Sequence, residues 1–225
     1  MRGSTVVALA GLIPIVAANI AFQININAGL EACFPYWEGC YSVSRGIRSG
    51  SGLIIFKTLS IPTAVMMVWC WILTGGWLKQ HCGLSGAKET WITWLGIAGA
   101  VFFVVYALWL GTDGEFYSWM RRYGVVFYFA FTALAQLLLA DLLWNHRKNL
   151  MNGALRRQIT FYFLLVVLMW TLGIMSAFKR KLIDNPAYLD RVENLLEWNF
   201  ALVLSLSYIA LAMILRVAET RRVTV

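Results

Sequence analysis

A bundle of six transmembrane α-helices follows from three observations. The chain is 60% hydrophobic and only 13% charged, its apolar runs recur along the whole length, and each run is close to the length a helix needs to cross a bilayer. Soluble domains carry about 25% charged residues, so water is the wrong solvent for most of this surface. Loops between the runs are too short for a separate globular unit, which leaves one transmembrane domain spanning residues 1–225.

The spans are predicted at 6–24, 53–73, 90–110, 125–144, 159–178 and 198–217. Each approaches the roughly 20 residues that cover about 30 Å of hydrocarbon. A membrane β-barrel would alternate apolar and polar residues in stretches of about 10, and these runs do not alternate. Arg2 ahead of the first run imitates a signal peptide, but that run is long for an h-region and five more follow, so it is read as a helix.

Charge partition orients the bundle. With both ends on one side, that side holds ten basic residues (Arg2, Lys79, Lys88, Arg147, Lys148, Arg156, Arg157, Arg216, Arg221, Arg222) against Glu89, Asp141 and Glu219. Nine basic residues on the other side face eight acids, so the largely unpaired positive charge marks the first side as cytoplasmic. That charge sits at helix ends, where anionic lipid headgroups are the nearer partner, and no nucleic-acid partner is expected.

The exoplasmic loops carry the distinctive residues. In the first loop, Cys33 and Cys40 flank Phe34-Pro35-Tyr36-Trp37-Glu38-Gly39, a spacing compatible either with a disulfide in an oxidising compartment or with two free thiols. Cys70 and Cys82, toward the cytoplasmic side, are expected to be free. Tyr36 and Trp37 suit the bilayer interface. Arg45 and Arg48, three apart, would face one way on a helical turn and hold a phosphate; the alternative is an interfacial anchor with solvated arginines.

The second loop adds Asp113, Glu115, Arg121 and Arg122. Before the sixth span, Asp184 and Asn185 ahead of Pro186 read as a helix start, and Glu193 and Glu197 repeat one turn apart on one face. Glu197, beside Trp198 at the membrane edge, is expected to pair with Arg45, Arg48, Arg121 or Arg122, or else to serve as a catalytic carboxylate. Together the loops predict a polar exoplasmic cap with an internal network that includes Ser42, Ser44, Asp113, Glu115, Glu193 and Glu197.

Metal and cofactor chemistry find no support. His81 and His146 lack ligand spacing, and no nucleophile elbow, phosphate-binding loop or dinucleotide fingerprint is present, so neither metal nor cofactor is expected. Lys57 and Asp141, just inside helix ends, are explained by snorkelling to the interface.

In the first loop, C-F-P-Y-W-E-G-C-Y-S-V-S-R-G leads into Ile54-Ile55-Phe56; D-G-E-F-Y-S-W-M-R-R-Y-G-V-V-F-Y-F precedes the fourth span and E-N-L-L-E-W-N-F-A-L the sixth. In span count, loop lengths and the order of these polar elements the whole chain resembles the FRAG/DRAM/SFK family of six-span membrane proteins. Tyr41-Ser42-Val43-Ser44 stands at the place of that family's P-x-I-S element, with Tyr where the family has Pro. The resemblance implies lipid biology: members include factors for fatty-acid remodelling of GPI-anchored proteins, lysosomal autophagy modulators and plasma-membrane proteins that affect phospholipid organisation. It supplies no catalytic set to transfer.

Three functions are therefore open. One is a non-enzymatic protein that binds or organises phospholipid or lipid-anchored partners at its exoplasmic face, with Arg45, Arg48, Tyr36, Trp37, Arg121 and Arg122 as headgroup candidates. Another is a lipid acyltransferase or hydrolase with Glu197 or Asp113 as base and Ser42 or Ser44 as nucleophile. The last is a structural subunit bound to other membrane proteins. Hydropathy suits a bacterial inner membrane, an endomembrane and a plasma membrane equally.

Overall fold

The computed structural model describes residues 2–82, 86–147 and 153–222, excepting the side chains of residues 81, 82 and 218–222. Lys148 and the side chains of His81, Cys82, Glu219, Arg221 and Arg222 therefore lie outside the described residues. Every element among the described residues is helical: α1 (Gly3–Asn27), α2 (Pro35–Glu38), α3 (Val43–Ile47), α4 (Gly50–Cys82), α5 (Ala87–Trp109), α6 (Glu115–His146), α7 (Gly153–Leu182) and α8 (Pro186–Arg222). Six of them, α1 and α4 through α8, are long and apolar enough to cross a membrane. The chain is thus a helical multi-pass membrane protein.

The long helices overrun the apolar runs that announce them. α4 has 33 residues and α8 has 37, against the 53–73 and 198–217 read from hydropathy. Hydrocarbon thickness limits only the apolar part of a helix. The polar flanks continue the backbone hydrogen bonding through the headgroup zone, in α4 even across Gly75 and Gly76. α8 does start at Pro186, where Asn185 Oδ1 accepts the backbone N–H groups of Ala187 and Tyr188 at 3.0 and 3.1 Å.

The six spans form a closed ring, α1–α4–α5–α6–α7–α8 and back to α1, with α6 against α7 the thinnest seam. Val7, Ala17, Ala21, Met67, Trp71, Tyr162, Trp198 and Tyr208 are among the side chains buried inside. Val65, Trp69, Trp91, Trp94 and Leu164 point outward and exposed, the arrangement expected where lipid rather than water is the solvent.

At one end, α2 and α3 fold over the ring as a cap seated on α1 and α8. Ion pairs Lys79–Glu89 (3.2 Å) and Lys88–Asp141 (3.4 Å) tie the far ends of α4, α5 and α6. Asp141 is thus paired, and Lys57 Nζ reaches the Leu108 carbonyl at 3.0 Å, so neither needs a role beyond the interface.

Candidate functional site

The cap is built from local signals. Pro35 opens α2, and Gly39, at φ +62°, closes it in the left-handed conformation that a side chain would strain. Cys33 and Cys40, whose Cα atoms are 6.6 Å apart, are joined by a disulfide across this turn. Cys70 is a buried free thiol. Ser42 then caps α3, its Oγ accepting the Arg45 backbone N–H at 3.2 Å. Val43 and Ile47 anchor α3 in the core, leaving Arg45 and Arg48 on the opposite side.

Hydrogen bonds from α8 lock the cap down. Arg45 Nη2 donates to both oxygens of Asp190 at 2.7 Å and to Asn194 Oδ1 at 2.8 Å. Asn194, only 1% exposed, donates to the Gly39 carbonyl at 2.8 Å. Trp198 Nε1 donates to the Tyr41 carbonyl and Asn199 Nδ2 to the Tyr36 carbonyl, each at 2.9 Å.

Beside this cap, between α6 and α7, lies a cavity of about 970 Å³ with α8 as its back wall. Its mouth gathers residues from all three cap-side loops: Ser42, Ser44, Arg45, Arg48, Arg121, Arg122, Glu193 and Glu197. Below the mouth the walls turn apolar, with Val126, Phe129, Ala133, Trp170, Ile174 and Phe200. The result is a groove with a charged opening and an apolar shaft.

Its charges divide into satisfied and unsatisfied groups. Arg45 is held by Asp190, and buried Lys179 by Glu193 at 3.2 Å with Ser176 Oγ at 3.1 Å. Among the described residues no acid lies within 4 Å of Arg48, Arg121 or Arg122; Arg121 only donates to Ser118 Oγ at 3.3 Å. These three guanidiniums offer planar donor forks suited to a phosphate.

Glu197 departs from expectation. No cation among the described residues lies within 4 Å of it, and its carboxylate instead lies beside the Ser44 backbone at the start of α3. Arg45, its natural partner by position, is claimed by Asp190 and Asn194, which meet it two turns and one turn earlier on α8. A half-buried carboxylate therefore faces the groove just below the arginines.

Other candidates fall elsewhere. Tyr36 turns into the cap, taking a 2.7 Å hydrogen bond from Asn19 and packing edge-on to Trp198 at 5.2 Å. Burial pushes its phenol above the usual range, and the Asn19 bond pulls the other way. Trp37, 83% exposed, stands outside the groove, as do the exposed Asp113 and Glu115.

Nucleophilic chemistry is poorly served. Ser42 Oγ is occupied by Arg45, and Ser44 Oγ shares a 3.1 Å hydrogen bond with Tyr106, so neither hydroxyl is bonded to a carboxylate or imidazole. Lys179, Asp190 and Asn194 are site residues that loop composition alone did not single out. The Lys179-Arg180-Lys181 run at the end of the fifth apolar segment was the available signal for the first of them. No family model, curated protein or solved structure matches the chain.

Proposed function

We propose that this protein binds a phospholipid, free or as the anchor of a partner, in the groove between α6 and α7. One observation carries the reading: three arginines with no acid within 4 Å among the described residues crown a cavity whose shaft is apolar and opens between two lipid-facing helices. A phosphate would take the Arg48, Arg121 and Arg122 guanidiniums, while an acyl chain would lie along Val126, Phe129 and Ile174. The resemblance to the FRAG/DRAM/SFK family points the same way.

The cap belongs on the exoplasmic side in this reading. A disulfide in the cap is the companion of an oxidising compartment, and the excess of basic over acidic residues in the sequence at the opposite end favours that end as cytoplasmic. A reporter fused after Val225 is accordingly expected to resist labelling from outside the cell or vesicle; labelling there would invert the assignment.

Native mass spectrometry of the protein purified with its membrane lipids tests the site. Each basic contact at a membrane surface contributes about 1 kcal/mol, so removing three as Arg48→Gln/Arg121→Gln/Arg122→Gln should cut retained anionic lipid by about tenfold or more. Retention that ignores both the substitutions and headgroup charge would defeat the proposal.

A further inference from the structure

The contacts between α6 and α7 are not spread evenly along the seam. Trp144 stacks on Phe163 at 4.3 Å toward the far end, and the Tyr162 hydroxyl donates to Gln136 above it. Next toward the cap, Trp170 Nε1 crosses from α7 to donate to the Ala133 carbonyl of α6 at 3.3 Å. From Trp170 upward no hydrogen bond or ring contact among the described residues joins the two helices, and the groove occupies the gap; its rear is closed by Phe129 of α6 against Phe200 of α8 at 5.0 Å. Trp170 and Ala133 are thus both the last stitch of the zipped seam and the floor of the shaft.

The depth of that floor is informative. From Arg121 to Ala133 along α6 is about 18 Å, and from Lys179 back to Trp170 along α7 is roughly 14 Å, at about 1.5 Å per residue. Half of a hydrocarbon core about 30 Å thick is roughly 15 Å, so the shaft ends near the bilayer midplane. A chain entering from the cap-side leaflet meets an indole where its own leaflet ends.

The geometry points to Trp170 as a gauge of acyl-chain length: the groove selects phospholipids of the cap-side leaflet whose chain ends at or above the Trp170–Ala133 bridge. The inference rests on the lipid reading above. Hydrophobic transfer cannot supply the selection, because a chain leaving the bilayer for the groove exchanges one apolar environment for another. Selection comes from packing: an overlong chain must fold back or displace a ring held by its hydrogen bond. Gly173, one turn above Trp170 on α7, shows where the shaft has room, since a Cβ there would meet Phe200 at an ordinary 3.5 Å.

The test loads the purified full chain with an equimolar mixture of phosphatidylglycerols bearing myristoyl, palmitoyl, stearoyl or arachidoyl chains and reads the retained species by native mass spectrometry. Wild type should favour shorter chains over arachidoyl. Trp170→Ala opens the floor and should raise the arachidoyl-to-palmitoyl ratio by about five- to tenfold, near the low end of the roughly 10–200-fold that a methylene can decide in a tight pocket. Trp170→Phe keeps a ring and should stay near wild type. Gly173→Leu, which fills the shaft above the floor, should shift retention toward myristoyl and decides the matter if Trp170→Ala does not fold. Lipid retained with the same chain profile in wild type, Trp170→Ala and Gly173→Leu would overturn the gauge alone. Wild type retaining none of the lipids would overturn the lipid reading and the gauge with it.

Discussion

Asn194 shows how one side chain can outweigh a visible ion pair. Asp190 and Arg45 are 53% and 38% exposed, and ion pairs at such exposure contribute at most about 1 kcal/mol. Asn194 is buried and satisfies both Arg45 and the Gly39 carbonyl, and leaving such partners unmade costs about 1–3 kcal/mol. Asn194→Ala is therefore expected to lower the thermal unfolding temperature more than Asp190→Ala, measured on purified protein in detergent. Glu197 yields a second contrast: Glu197→Gln keeps a polar group beside the Ser44 backbone and should cost under about 1 kcal/mol, whereas Glu197→Leu sets an apolar side chain against that backbone and should cost about 1–3 kcal/mol. Arginines 45, 48, 121 and 122 were legible as a group from their loops, and they do line one groove. The partner of Glu197 was not legible, because it depends on which of several acceptors on α8 reaches Arg45 first.

At the scale of elements, number and order could be read from hydropathy because a run of about 20 apolar residues is a property of the line itself. The start at Pro186 was equally readable, since proline and an Asx cap act on their immediate neighbours. The groove was not: it exists because α6 and α7 part above Trp170, a relation between segments that neither contains. Elsewhere the seams are tight. A Cβ on Gly96 of α5 would sit 2.1 Å from the ring of fully buried Trp71 on α4, so one of the two helices must retreat. Gly96→Ala is expected to destabilise by about 1–3 kcal/mol or more through overpacking, while Gly173→Ala, whose methyl would meet Phe200 at an ordinary 3.5 Å, should leave unfolding almost unchanged.

For the whole molecule, the disulfide and the ring act together. Cys33–Cys40 closes a short loop, and constraining a loop of that size in the unfolded chain contributes about 2 kcal/mol. Cys33→Ser/Cys40→Ser should accordingly lower the unfolding temperature, and reductant should lower it in the wild type but not in the double variant. The ring order has a consequence for biosynthesis as well. The cap is encoded in the first loop and takes hydrogen bonds from Asn19 and Asn25 of α1, yet four of the groups that fasten it, Asp190, Asn194, Trp198 and Asn199, belong to α8, the last of these helices to leave the ribosome. Through most of translation the first loop waits, its disulfide and its bonds to α1 able to form but Arg45 and the Tyr36, Gly39 and Tyr41 carbonyls without their α8 partners. The arginine-lined mouth is complete only when the sixth span inserts beside the first, so a chain that stalls before α8 carries every arginine of the site without the back wall of its groove.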